Sequence, residues 1–264
     1  MEITPTLDDD QMMRFVFDGL IKFESLIPES FNETCRELPG GRLTEFVNTE
    51  AFRNAVFLHP EVAGVARSLL GENFLVPSNA HHHLYEEPHT GQTWHSDGLT
   101  EEGHGVNHLQ CFYYPQAVGP EDGPTMVLPG SHYRIVDREA IAHYGNIRGQ
   151  MPLTVPAGTV VMTKYGLWHK AGAKLNNRRR GMIKFSYFRA TPPKRDWIVS
   201  SEEIPAFVAQ GRHSYATEVE SYRDLSRCKR TWNWLCGLDE EPGDVAHGAK
   251  MFVSAVPVKQ ALKA

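Results

Sequence analysis

"HLQCFYYP", residues 108–115, gathers aromatic and apolar side chains into a short run that a proline closes. It reads as a strand, and it is one of a series. From Asn73 to about Arg189 the chain is built of short runs rich in β-branched and aromatic residues, broken by Gly, Pro, Asn and Asp clusters. The companion strands are FLVP (74–77), NAHHHLYE (79–86), TMVLP (125–129), MPLTV (151–155), GTVVMTK (158–164) and GMIKFSYFRA (181–190). Turns are expected at GPEDGP, PGS and PAG. Many short strands so spaced predict a sandwich or barrel rather than a parallel α/β sheet. A helical insertion from about Val136 to Tyr144 interrupts them.

Working outward, the amino-terminal segment reads as helical. Thr6 is placed to cap a helix whose first turn holds Asp8, Asp9 and Asp10, favourably set against the positive end of the dipole. Met12, Met13, Phe15 and Val16 recur at roughly helical spacing until Gly19 stops them. A short apolar piece, LIKF, follows. A second helix is expected from Pro28 or Glu29 to about Leu38, and a third over HPEVAGVARSLLG, with Gly71 as its left-handed terminal residue. After Pro192 and Pro193 the chain is expected to turn helical and polar again, with the aromatic stretch TWNWL at 231–235.

The 264 residues are 41% hydrophobic and 22% charged, enough to bury one large core. A net charge of −5 and a pI near 6.2 argue against nucleic acid or an anionic membrane as the main partner. The opening MEITPTLDDD lacks a secretory pattern, and no apolar run approaches the roughly 20 residues needed to span a bilayer. A soluble, cytoplasmic protein, monomer or homodimer, is expected, acting on a small molecule. The four cysteines are scattered without a C-x-x-C pair, which suits reduced thiols.

Chemistry concentrates in "TWHSDG", residues 93–98. In an extended segment residues i and i+2 point to one side, so His95 and Asp97 can reach a single metal ion. His169, in GLWHKAG just past the strand GTVVMTK, is the candidate third ligand. Two imidazoles and one carboxylate suit non-haem Fe(II), which needs open positions, and also suit catalytic zinc. By itself H-x-D is weak evidence and more often describes the wet side of a strand.

Thirteen histidines is a high count, and several fall between 81 and 108. In the run His81-His82-His83, alternation allows His81 and His83 to line a pocket mouth beside Asn79 and Tyr85. His104 and His108 are candidates to border the substrate, in and after a glycine-rich loop from Gly98 to Gly105. Trp94, Trp168 and Trp197 are candidate pocket walls, and His132 is expected to brace a turn.

H-S-D at 95–97, D-G-P-T-M-V-L-P-G-S-H at 122–132 and W-H-K-A-G-A-K-L-N-N-R-R-R at 168–180 resemble the phytanoyl-CoA dioxygenase family. LDDDQMMRFVFDGLIKF and HPEVAGVARSLLG resemble its opening helix and strand and its next helix, so the likeness runs from residue 6 to about 190. It implies a mainly β fold with flanking α-helices, a cupin-like double-stranded β-helix or jelly roll. The layout is one oxygenase domain over 1–264, with an N-terminal helical flank (1–72), a jelly-roll core (73–190) and a C-terminal helical flank (191–264). It further implies Fe(II) held by His95, Asp97 and His169, with 2-oxoglutarate and O₂ as co-substrates.

In the family an arginine eleven residues after the second histidine pairs with the distal carboxylate of 2-oxoglutarate, and that position is Arg180 here. A guanidinium fork matches a carboxylate bidentately, whereas Arg178 and Arg179 are expected in solvent. Tyr113 matches a position where some relatives place an aromatic residue against the co-substrate. Glu86-Glu87-Pro88-His89 departs from the family's lysine and small residue before the H-x-D strand. Related halogenases have a small residue where Asp97 stands, so the resemblance implies hydroxylation of an unactivated C–H bond, with release of succinate and CO₂. Desaturation, cyclisation or a non-catalytic ligand-binding role are the alternatives. The expected substrate is a small natural product or amino-acid-derived metabolite in a biosynthetic setting.

Overall fold

The computed structural model describes residues 2–97, 103–134, 138–238 and 255–262. Strand β5 (His108–Tyr114) is buried along its whole length because it runs through the larger of two antiparallel sheets. That sheet has the order β1 (Leu20–Phe23), β8 (Thr159–Lys164), β5, β10 (Arg180–Phe188), β3 (Leu75–Pro77), β11 (Ala255–Pro257). Strand β4 (His81–Tyr85) also pairs with β10, and β2 (Gly41–Arg42) with β4. The smaller sheet is β7 (Met151–Pro152), β6 (Thr125–Val127) and β9 (His169–Ala171).

The two sheets face each other across one apolar layer. Phe112, Tyr114, Val161 and Met182 of the large sheet meet Val127, Leu153, Val155 and Leu167 there. On the far side of the large sheet Leu109, Cys111, Tyr113, Val160, Ile183 and Phe185 join a second core with residues of the helices. Covered on both faces, β5 cannot show the apolar–polar alternation of a half-buried strand. Each large side chain so buried contributes roughly 1.5–3 kcal/mol, which makes β5 and β10 the anchor of the fold.

The helices follow from local rules, with corrections at their ends. Helix α1 (Asp9–Asp18) is capped by Asp8 in a reciprocal box with Gln11, not by Thr6. The Thr6 amide instead donates to Ser68 Oγ at 3.0 Å, and its side chain packs where a Cβ at Gly64 would lie 2.3 Å from Thr6 Cγ2. Gly19 ends α1 in the left-handed region (φ 77°) and lets the chain pass His132, whose ring would clash with any Cβ there. His132 hydrogen-bonds the Val16 carbonyl (3.2 Å) and so braces this turn.

Helix α2 (Glu29–Arg36) is followed by two short helices, α3 (Thr44–Val47) and α4 (Glu50–Phe52), and then by α5 (Pro60–Leu70). Gly71 has positive φ but extended ψ, so it redirects the chain rather than closing a helical cap. Residues 41–42 and 20–23 add strands to the large sheet, so the amino-terminal flank is not purely helical. Of the insertion expected from Val136, residues 135–137 lie outside the described residues, and α6 (Arg138–Ala142) forms its helical part.

The expected helix directly after Pro193 does not form. Residues 191–217 cross the surface without a helix, tied by Arg195 and Trp197 to Asp9 and by Tyr215 Oη to the Pro129 carbonyl. Side-chain anchors replace the backbone ladder that a helix would supply. Helix α7 (Glu218–Leu235) starts only where Thr217 and Glu220 form a capping box. A last short helix, α8 (Val258–Ala261), follows β11. Among the described residues no helix is long and apolar enough to cross a membrane.

Candidate metal centre

His95 and His169 enter the site as backbone partners. The extended segment through His95 pairs with β9 at an isolated antiparallel bridge, and alternation then brings Asp97 back to the same side as His95. One ligand atom from each of His95, Asp97 and His169 lies within 4.8 Å of the other two. Asp97 Oδ1 is 3.8 Å from His95 Nε2, and its Oδ2 is 3.5 Å from His169 Nε2.

Both imidazoles are oriented in the same way. His95 Nδ1 donates to the Thr93 carbonyl (2.9 Å) and His169 Nδ1 to the Leu167 carbonyl (3.0 Å). A carbonyl only accepts, so each proton sits on Nδ1 and each Nε2 presents a lone pair. His169 Nε2 is buried with no hydrogen-bond partner. Two lone pairs and a carboxylate converging on one point repel unless a cation lies among them, and backbone-anchored imidazoles are the usual support of metal ligands. The donor set therefore fits a metal ion.

Electrostatics agrees. Burial opposes ionisation of Asp97, but the donors and positive charge around it, Lys184 among them, outweigh it and hold the carboxyl well below the ordinary carboxylate range. Burial pushes His95 down to about 4, so the imidazole is neutral and able to ligate near pH 7.

Arg180 opens β10 and is 1% exposed. Its Nη2 donates to Thr125 Oγ1 at 2.8 Å, and its guanidinium lies over Tyr85 (5.6 Å) and Tyr114 (5.7 Å). Arg180 Nε is buried with no partner. A buried guanidinium with an open donor and aromatic walls fits one end of a carboxylate. Beside it, the His89 ring lies against that of Tyr85, centroids 4.5 Å apart and tilted by 45°. His89 Nδ1 accepts the Gly91 amide (2.9 Å), which leaves its proton on Nε2, buried and unpartnered.

Other candidates are sorted by strand parity. His81, His83 and Tyr85 stand opposite Lys184, Met182 and Arg180, on the face toward the site. His82 points the other way, with Nδ1 on the Pro39 carbonyl. His108 is on the site face of β5, stacked on Tyr165 at 3.6 Å, and Tyr165 Oη donates to the Asp97 carbonyl.

Tyr113 faces the helices instead: its hydroxyl donates to Asn32 Oδ1 (2.6 Å) and its ring meets Phe52. The co-substrate role expected for it is corrected, and Phe112 and Tyr114 are the aromatics of β5 on the site face. Trp94, one residue before His95, also points away. It is fully buried with Leu128, Ile141 and Trp168, its Nε1 on the Gly145 carbonyl. Trp197 is core as well. His104 packs edge-on against Trp234 of α7. Residues 98–102 of the expected loop lie outside the described residues. Arg178 is exposed and pairs with Asp122, and Arg179 pairs with Glu86.

Gln110, Lys184, Tyr114, Thr125 and His89 were not singled out from sequence. Gln110 Nε2 donates to Asp97 Oδ2 at 2.6 Å, and the Lys184 ammonium pairs with the same oxygen. The signal for Lys184 is present in the chain: it lies four residues past Arg180 on one strand, hence on the same face.

The family model of phytanoyl-CoA dioxygenase matches residues 35–182, more than half of the chain and a span that contains His95, Asp97, His169 and Arg180. Among solved structures, the apo form of EctD from S. alaskensis is similar with a TM-score of 0.57 at 19% identity, over 81% of this chain and 89% of that one. HygX from Streptomyces hygroscopicus with nickel, 2-oxoglutarate and hygromycin B bound gives 0.53 at 16% identity, over 73% and 90%. SnoK, a non-haem alpha-ketoglutarate-dependent carbocyclase from nogalamycin biosynthesis, gives 0.53 at 19%, over 74% and 90%. At these identities the likeness shows a shared fold. No curated protein sequence matches the chain.

Proposed function

Since the chain belongs to the phytanoyl-CoA dioxygenase family of non-haem iron, 2-oxoglutarate-dependent oxygenases, we propose that it hydroxylates an unactivated C–H bond of a small, natural-product or amino-acid-derived metabolite. The observation that carries this reading is the convergence of His95, Asp97 and His169, whose ligand atoms lie within 4.8 Å of one another. Iron bound there, with 2-oxoglutarate and O₂, supplies the oxidising power and releases succinate and CO₂.

The residues divide the remaining work. His95 and His169 offer Nε2 because their Nδ1 protons are committed to backbone carbonyls. Asp97 supplies the anionic ligand, and Gln110 holds its second oxygen. Arg180 takes the distal carboxylate of 2-oxoglutarate, and its fixed charge in a water-poor wall sets the co-substrate's direction. His89 Nε2 donates to the same carboxylate and fills the place of the family's lysine. Phe112, whose ring centre is 5.5 Å from that of His169, keeps water from the inner side of the centre. An aspartate at 97 leaves no place for a halide, which favours oxygen insertion over halogenation.

The test is turnover of 2-oxoglutarate to succinate by purified protein with Fe(II) and O₂, together with the visible charge-transfer band of the anaerobic Fe(II) and 2-oxoglutarate complex. Both are expected in the wild type and absent in His95→Ala and Asp97→Ala. Succinate formation that survives those substitutions overturns the ligand set. With a true substrate, a product that gains one oxygen atom supports hydroxylation, loss of two hydrogens identifies desaturation or ring closure, and a chlorinated main product refutes the subtype.

A further inference from the structure

We propose that the substrate carries a carboxylate, or a group with the same single negative charge, which the Lys184 ammonium receives beside the metal centre. The inference rests on the iron and 2-oxoglutarate reading above. Lys184 extends from β10 on the face that carries Arg180. A rise of about 3.3 Å per residue puts the two Cα atoms roughly 13 Å apart, and the Lys184 ammonium is drawn to Asp97 whereas the Arg180 guanidinium is held on Thr125 between Tyr85 and Tyr114. Arg180 sits 1% exposed at the inner end. Lys184 keeps 17% of its side chain exposed, with the exposed His81 as its register partner on β4 and Phe112 on β5. It therefore stands between the solvent side and Asp97.

Charge balance then decides what it meets. With no metal present, Asp97 is the counterion of Lys184. A ferrous ion commits that carboxylate to the metal. The loaded centre then holds two positive charges on iron and one each on Lys184 and Arg180, against one negative charge on Asp97 and two on 2-oxoglutarate. One positive charge is left over. His83 adds none, because burial and the neighbouring Lys184 push its pKa down to about 3. Asp122, the acid nearest Arg180 by its influence, is already paired with Arg178. An uncompensated charge in a half-enclosed site is costly, and an anionic substrate removes the cost on binding. A neutral substrate leaves it in place. Lys184 is in this account a specificity-determining residue, selecting acids over their neutral analogues.

The experiment uses the full chain loaded anaerobically with Fe(II) and 2-oxoglutarate. Acetate, propionate and benzoate, each beside its primary amide, are titrated against the visible charge-transfer band. Acids are expected to shift the band saturably and amides not. Lys184→Met is expected to weaken the acids by about tenfold or more, the loss typical of one charge-assisted contact, with 2-oxoglutarate affinity unchanged and Lys184→Arg retaining most of the response. A band that forms normally but ignores the acids, or answers acids and amides alike, overturns the proposal. So does Lys184→Met if it weakens 2-oxoglutarate or iron instead, because Lys184 then acts only through Asp97 or the co-substrate. Failure of the wild type to form the band overturns the oxygenase reading itself, and this inference with it.

Discussion

His95 and His169 are direct partners across an antiparallel pair: the amide of each donates to the carbonyl of the other, at 3.0 and 2.9 Å. The two imidazoles are thus set by main-chain hydrogen bonds that survive side-chain replacement. His95→Ala is expected to fold with a loss of about 1 kcal/mol, the centre of the range for single substitutions. Fe(II) at about 100 times its dissociation constant should raise wild-type stability by about 2.7 kcal/mol and leave His95→Ala unmoved. Thermal denaturation with and without the metal checks this, and equal stabilisation of both proteins contradicts the ligand assignment.

Arg180 has a buried cation, one hydroxyl acceptor and no carboxylate partner among the described residues. Arg180→Met is expected to raise the KM for 2-oxoglutarate by about 100-fold, from loss of charge-assisted hydrogen bonds worth about 1.5–3 kcal/mol. Because an unpaired buried charge is itself destabilising, the ligand-free variant should be no less stable than the wild type. His89→Leu should raise the same KM by a smaller factor, about 3–10-fold, for one neutral donor. Steady-state kinetics varying 2-oxoglutarate separates the two effects.

Tyr113 offers the opposite control. Tyr113→Phe removes the donor that satisfies Asn32 Oδ1 in the helix-side core, at an expected cost of about 1–3 kcal/mol in urea denaturation. The KM for 2-oxoglutarate should stay at the wild-type value. A large rise in KM would return Tyr113 to the co-substrate.

Acid should weaken the fold before it protonates the carboxylates. Burial pushes His108 down to about 3 and holds His132 well below the ordinary histidine range, with Lys164 adding to the effect. Folded-state values below the unfolded one of about 6.5 mean that the unfolded chain binds protons that the native state refuses. Stability from these groups is present in full above pH 6.5 and declines as pH falls toward the folded values. Melting temperature should therefore drop from pH 7 to pH 5, and His132→Asn should make that slope shallower whatever its own stability. An unchanged slope would show that His132 takes no part.

Much of this protein was legible in one dimension. The spacing of short β-rich runs, the i, i+2 placement of His95 and Asp97, and the rich histidine segment follow from local chemistry. So does the termination of α1 at Gly19, because periodicity and turn preference are properties of neighbours in the chain. Arg180 was legible through its distance from His169, by resemblance. Facing was decided elsewhere. β5 is covered on both sides, so "CFYY" carries no alternation to say that Tyr114 meets Arg180 and Tyr113 meets Asn32. The irregular course of 191–217 depends on Asp9, far away in sequence. The Lys184–Asp97 pair exists because β10 is paired with β4 and β5 and so lies against a segment 87 residues earlier. Sequence set which groups were available; tertiary pairing set which side each one faced, since a strand with two buried faces is oriented by its partners alone.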